Sequence, residues 1–240
     1  MRITQHGEHL FQLTRLAAFN AFLVREDDGF TLIDTNLPGS ANGILKAAQE
    51  LGQPIKRIVL THAHSDHVAS VDALKSQLPG AEIIMSARTA RFLAGDMSLD
   101  IDEPQDKLRG GYVIIETKPT DTVKEGDRIG SLQVVAAPGH TPGQIALLDT
   151  RDQSLIAGDA FQTAAGIAVT GVLRVLFPFP AFATWHKPTA LQTARKLHTL
   201  NPSRLAVGHG SVIENPAALM DKAIAEAQHN FDIPLNMAVV

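Results

Sequence analysis

The stretch Ile58-Val59-Leu60-Thr61-His62-Ala63-His64-Ser65-Asp66-His67 decides how this chain is read. An apolar run ends in a loop that packs three histidines and one aspartate into six positions. In an extended segment side chains alternate faces, so His62 and His64 project to the same side. Asp66 and His67 then open a helical pattern in which Val68, Val71 and Leu74 share one apolar face. One loop at a strand end thus offers two imidazoles to one cation, and a carboxylate with an imidazole to a neighbouring cation. Imidazole suits zinc, iron, copper and nickel, and a carboxylate adds the negative charge that a second nearby cation requires. A polar loop in which Asp66 only caps the helix explains one of these four residues and leaves the histidines unexplained.

Three later segments repeat the same device, an apolar run, a glycine and a ligand-type side chain. Val134-Val135-Ala136-Ala137 leads into Pro138-Gly139-His140-Thr141-Pro142-Gly143, a turn that fixes His140 between proline and glycine. Ser154-Leu155-Ile156-Ala157 leads into Gly158-Asp159, and Leu205-Ala206-Val207 leads into Gly208-His209-Gly210. Glycine at these points permits close backbone approach or a left-handed turn at a crowded site. Singly, each histidine reads as an ordinary buried or edge residue. Their common placement after strands makes them further candidate ligands.

On these residues the chain resembles the metallo-β-lactamase superfamily of binuclear metallohydrolases. The resemblance runs from about Phe19 to Gly210 and rests on the H-x-H-x-D-H loop, the P-G-H-T-P-G turn, the G-D turn and the G-H-G turn. It implies that His62, His64 and His140 hold one metal, that Asp66, His67 and His209 hold the other, and that Asp159 bridges them. Leu32-Ile33-Asp34-Thr35 is similar to the family's L-I-D-T segment, which makes Asp34 a carboxylate that orients a ligand imidazole. The implied fold is α/β, a four-layer αβ/βα sandwich of two mixed sheets with outer helices and the metals at one edge. The implied cofactors are two divalent ions, zinc foremost, with iron or manganese as alternatives. Paired cations lower the pKa of a shared water toward neutrality and polarise a carbonyl, so the expected activity is hydrolysis of an ester, lactone or thioester by metal-activated hydroxide. Asp66 and Asp159 are the candidate proton acceptors, and therefore the candidate catalytic residues.

Composition fits such an enzyme. The chain has 240 residues, a length suited to one α/β domain, with 45% hydrophobic and 19% charged residues. A net charge of −4 without a long basic run argues against a nucleic-acid partner, and the partner that the resemblance implies is a small-molecule substrate. The absence of cysteine excludes disulfides and thiolate ligands. The start Met1-Arg2-Ile3-Thr4-Gln5-His6-Gly7-Glu8 lacks a secretory apolar core, and no apolar stretch reaches the roughly 18 residues of a membrane span, so the expected location is cytoplasmic.

Patterning predicts strands at Phe19 to Val24 and Phe30 to Ile33 around the turn Glu26-Asp27-Asp28-Gly29. It predicts a helix over 40–51 with Ser40 as cap, a strand over 55–60, a helix over 66–78 and a strand over 82–85. Helices over 188–200 and 216–229 each open on a proline. One domain over 1–240 is expected, with a cap or insertion around 95–122. Segment 169–185, with Phe177, Phe179, Phe182 and the single Trp185, suits either a pocket wall for apolar acyl groups or a homodimer contact.

Substrate expectations follow from how this chain departs from the family's patterns. Asp159 disfavours a β-lactam hydrolase, because those members generally lack the bridging Asp or use Cys. Glyoxalase II-like thioesterases carry a helical domain after the last ligand, where this chain has only the stretch Gly210 to Val240. Lactonases of the family place a Tyr soon after the bridging Asp, whereas here Ala160-Phe161-Gln162 follow and the only Tyr is Tyr112. The competing enzyme class is a non-haem iron oxidoreductase of the persulfide dioxygenase type.

Overall fold

The computed structural model describes residues 1–231. Its strands are β1 (Arg2–His6), β2 (Leu10–Arg15), β3 (Phe19–Glu26), β4 (Gly29–Ile33), β5 (Ile55–Val59), β6 (Glu82–Ser86), β7 (Asp121–Val123), β8 (Arg128–Ile129), β9 (Leu132–Ala136), β10 (Ile145–Asp149), β11 (Ser154–Ile156), β12 (Phe161–Gln162), β13 (Ala168–Val169), β14 (Arg204–Ala206) and β15 (Ile213–Glu214). Its helices are α1 (Ala41–Glu50), α2 (Ser65–Val68), α3 (Val71–Gln77), α4 (Ala87–Leu93), α5 (Phe179–Ala183), α6 (Lys187–Thr199) and α7 (Ala217–Asn230).

Strands β1 to β7 form one sheet in chain order, antiparallel through β4 and parallel from β4 to β7. The second sheet runs β15-β14-β11-β10-β9-β8, with β11 and β14 parallel and its other pairs antiparallel. Side-chain alternation builds the layers. Phe22, Val24, Ile33 and Val59 meet Val134, Ile145, Leu147 and Ile156 between the sheets. Their neighbours Leu23, Leu32 and Ile58 face outward onto Ile44, Val71 and Leu74 of the helices. On the far side Val135, Leu148 and Leu205 face Leu191, Leu197 and Met220. Strands covered on both faces read as continuous apolar runs, as here, because each residue has a dry neighbour on its own side. A fully buried Leu or Ile of this kind contributes about 1.5–3 kcal/mol. The result is the expected four-layer sandwich of two mixed sheets. No helix among the described residues is long and apolar enough to cross a membrane.

Two local expectations are corrected. The single helix over 66–78 is two, α2 and α3, separated at Ala69-Ser70. Ser70 leaves the helical pattern because its N–H donates to Thr35 Oγ1 (3.2 Å) and its hydroxyl donates to the Leu37 carbonyl (2.8 Å) while accepting from Ser40 N–H (2.9 Å). Ser40 precedes α1 but does not cap it with its side chain, because its hydroxyl accepts from Arg15 Nη1 at 2.8 Å. Between α4 and β7 the chain has no helix or strand. This long loop is fastened by Arg88 to Glu103 and by Arg91 to Asp100.

Candidate metal centre

Strands β5, β9, β11 and β14 all deliver their carboxyl ends to one edge of the sandwich, where open α/β sheets bind ligands. His62, His64, Asp66 and His67 follow β5, His140 follows β9, Asp159 follows β11 and His209 follows β14. The sheets are joined there by Ile145 N–H donating to the Thr61 carbonyl and Asn20 N–H donating to the Gly208 carbonyl, both at 2.9 Å. All seven residues singled out in the sequence converge, and all are buried except Asp66, whose side chain is 26% exposed.

They converge as two sets of donors. One nitrogen from each of His62, His64 and His140 lies within 4.8 Å of the others, and so do single atoms of Asp66, His67 and His209. Asp159 stands between the sets. One of its oxygens lies 3.4 Å from His67 Nε2, and the other lies 3.4 Å from His140 Nε2 and 3.0 Å from His209 Nε2. A third grouping, Asp34 with His62 and His67, meets the same spacing. Its carboxylate is already committed, accepting from Thr61 N–H and Thr61 Oγ1 at 2.8 Å and from His67 Nδ1 at 2.7 Å. Asp34 therefore orients the cluster rather than joining it. Its φ of +59° lies in the left-handed region, which Asp tolerates better than most residues.

Each imidazole is aimed by what holds its outer nitrogen. His64 Nε2 donates to the Arg109 carbonyl (2.9 Å) and leaves Nδ1 facing His140. His62 Nδ1 lies 3.0 Å from Thr61 Oγ1, and His140 Nδ1 lies 2.9 Å from Thr170 Oγ1 and 3.2 Å from Thr184 Oγ1. His209 differs, because its Nδ1 is buried without a partner and its ring is held by packing, with Phe19 and Phe177 each at 5.2 Å between centroids. Gly208 makes room for the cluster, since a Cβ there would stand 2.2 Å from Asp159 Oδ1. Of these supports only Asp34 was visible in the sequence. Thr170, Thr184 and the Arg109 carbonyl carry no local signal, and Thr61 is marked only by its place beside His62.

The electrostatics divide the donors in two. Burial pushes His62 well below its ordinary value and His140 down to about 3, with neighbouring imidazoles adding to the effect, so both present free lone pairs. Burial also lowers His64 against the pull of the Arg109 carbonyl. Burial opposes a charge on His67 and His209 as well, but Asp159 and Asp66 outweigh it and hold His67 well above its ordinary value and His209 at about 9. The same imidazoles hold the Asp159 and Asp66 carboxyls below the usual carboxylate range in spite of burial. A field that favours protons on these nitrogens favours a divalent cation more strongly, and ligation releases the protons. His62 Nε2, His67 Nε2 and Asp159 Oδ1 are buried without hydrogen-bond partners, which costs about 1–3 kcal/mol per group in a site made only of protein. Orphaned lone pairs of N and O type in two adjoining sets fit a pair of metal ions.

The cluster forms the floor of a cavity of about 400 Å³, within the range of small-molecule sites. Its walls come from both segments that the sequence left open. Gly110 and Gly111 of the long loop lie on one side, and Phe179, Pro180, Phe182 and Ala183 of α5 on the other. Trp185 is buried instead, its indole donating to the Asp106 carbonyl at 3.0 Å and so tying the two walls together. His186 caps α6 and is not among the lining residues.

Known proteins share this architecture. The chain is 48% identical over 232 residues to the uncharacterized protein YobT of Bacillus subtilis, covering 95% of this chain and 99% of that one. It is 32% identical over 196 residues to a hydroxyacylglutathione hydrolase of Cereibacter sphaeroides, covering 81% of this chain and 64% of that enzyme. Among solved structures, TTHA1623 in a di-iron-bound form superposes with a TM-score of 0.62 at 25% identity, over 86% of this chain and 94% of that one. Residues 18–209 match the metallo-beta-lactamase superfamily as a whole, from the start of β3 to the last histidine of the cluster. On its fold, its donor set and this match, the chain belongs to the metallo-β-lactamase superfamily.

Proposed function

We propose that this chain is a two-metal hydrolase acting on a carbonyl ester, lactone or thioester. The observation that carries the reading is the pair of three-donor sets facing one cavity with Asp159 between them. His62, His64 and His140 would hold one divalent cation and Asp66, His67 and His209 the other, with Asp159 shared. Zinc suits the set, and iron or manganese are the alternatives. Bound there, such a pair supplies Lewis acidity toward a carbonyl and lowers the pKa of a shared water toward neutrality. Asp66 is the proton acceptor, because it lines the cavity, keeps partial exposure and is held ionised by His67 and His209. Asp159, deeper and also on the cavity floor, is the second carboxylate that takes part. Thr61, Asp34, Thr170 and the Arg109 carbonyl keep the imidazoles aimed while the proton moves. The similarity to a hydroxyacylglutathione hydrolase supports hydrolysis of an acyl compound.

The test is metal quantitation on the purified protein, coupled to a panel of lactones, thioesters, nitrocefin-type β-lactams and phosphodiesters. About two metal ions per chain with ester, lactone or thioester turnover is the expected result. One iron per chain with oxygen consumption would overturn the reading in favour of a persulfide dioxygenase-like oxidoreductase. Turnover confined to phosphodiesters or β-lactams would replace the substrate class.

A further inference from the structure

We propose that the substrate is uncharged and carries an apolar acyl chain that leaves the donor cluster across Phe179 and Phe182, an inference that rests on the hydrolase reading above. Both rings line the cavity, yet they are 62% and 65% exposed. They stand three residues apart on α5 and so share a face. The same segment exposes Leu173, Val175 and Leu176. Large apolar side chains left out of the core, next to a site, are a signature of a surface that something apolar covers. The cavity therefore has two unlike ends. Its floor is imidazole and carboxylate, and its mouth is phenyl. A molecule with a reacting carbonyl at one end and hydrocarbon at the other matches that gradient.

The residues that line the cavity disfavour the opposite kind of substrate. No Lys or Arg is among the described residues that line it, although Arg is the usual fork for a carboxylate. Two guanidiniums of the flanking segments are engaged elsewhere, and the exposed Arg109, beside Gly110, is not among the lining residues. Arg174 grips Glu226 and the Ile167 carbonyl at 2.6 Å, and Arg88 is bound to Glu103. A substrate that ends in carboxylates, such as a glutathione thioester or a penicillin, would meet phenyl rings where its charge needs a partner, and burying an unpaired charge is costly.

The protein loaded in turn with zinc, iron and manganese is assayed against p-nitrophenyl acetate, butyrate, hexanoate and octanoate. The mono-p-nitrophenyl ester of adipic acid matches hexanoate in length but ends in a carboxylate. The expected kcat/KM rises about two- to threefold per added methylene and falls roughly tenfold from hexanoate to the adipate half-ester. The double variant F179S/F182S flattens the chain-length slope and weakens binding of the neutral fluorophore N-phenyl-1-naphthylamine by about tenfold. A flat series, or an adipate half-ester as good as hexanoate, overturns the inference while the hydrolase reading stands. No turnover of any of these esters, nor of the lactones and thioesters of the first panel, by any metal form removes both. If F179S/F182S turns a dimer into a monomer in sedimentation and keeps the chain-length slope, the surface is a contact between two copies and the inference is wrong.

Discussion

The outer nitrogen of His64 donates to the carbonyl oxygen of Arg109 at 2.9 Å, so a ligand-type imidazole of the β5 loop is aimed by the loop that walls the cavity. A backbone acceptor cannot be deleted by substitution, but its setting can be disturbed. Gly110, the next residue, has φ +88°, and a Cβ there would stand 2.3 Å from His64 Nε2. Gly110→Ala should therefore lower metal affinity by about 10–100-fold, as loss of outer partners does. Competition with a calibrated chelator measures it, and an unchanged constant would show that His64 needs no such guide.

Asp34 holds two elements at once, the Thr61 hydroxyl and amide on one side and the His67 ring on the other. Asp34→Ala leaves these buried groups without their acceptor and should cost about 2–4 kcal/mol in the metal-free protein, along with about 10–100-fold in metal affinity. Denaturant unfolding of the chelator-treated chain separates the first effect from the second.

His209 is the one clustered imidazole whose outer nitrogen is unpartnered, and Phe177 packs on its ring. Phe177→Ala should loosen the Asp66, His67 and His209 set more than the other. Titration with metal is expected to show one site that stays tight and a second weakened by about tenfold or more. Equal weakening of both sites would contradict the assignment.

Asp149 ends β10 at the opposite end from Ile145 and the cluster, and it provides a pH test of stability. Burial would raise its carboxyl, but hydrogen bonds from the Arg151 side chain and amide outweigh that and hold it below the usual range. A depressed folded value means that the pair stabilises above the unfolded value of about 4 and that this contribution is lost as pH falls through the folded value. Asp149→Asn should cost about 2 kcal/mol at pH 7, and the difference from wild type should vanish in acid. Urea titrations of both metal-free chains at pH 7 and below pH 3 would decide it, and a gap that persists in acid would refute the ion pair as its source.

Much of this site was legible because each donor follows an apolar strand, and strands that share a direction bring their carboxyl ends together. Thus His140, Asp159 and His209, far apart in sequence, were predicted to meet His62 and His64, and they do. What stayed hidden depends on contacts without a local pattern. Thr170 and Thr184 reach His140 from 30 and 44 residues away, and nothing in their flanks marks them. The break between α2 and α3 was invisible because the apolar period runs straight through it, whereas Thr35 competes for the Ser70 amide from another strand end. Segment 169–185 was ambiguous for a different reason. Phenylalanine patterning looks alike in a core and at a rim, and only position shows that Phe179 stands at the mouth while Trp185 is sealed inside.

Each donor set draws on both halves of the sandwich. His62 and His64 come from the first sheet and His140 from the second, as do Asp66 and His67 against His209. Every cation seated there would thus be a clasp across the seam, and starving the protein of metal would leave the two halves less tightly fastened to each other. Resistance to heat and proteases would then track the metal supply of the surroundings, which makes the fold itself a gauge of its own cofactor.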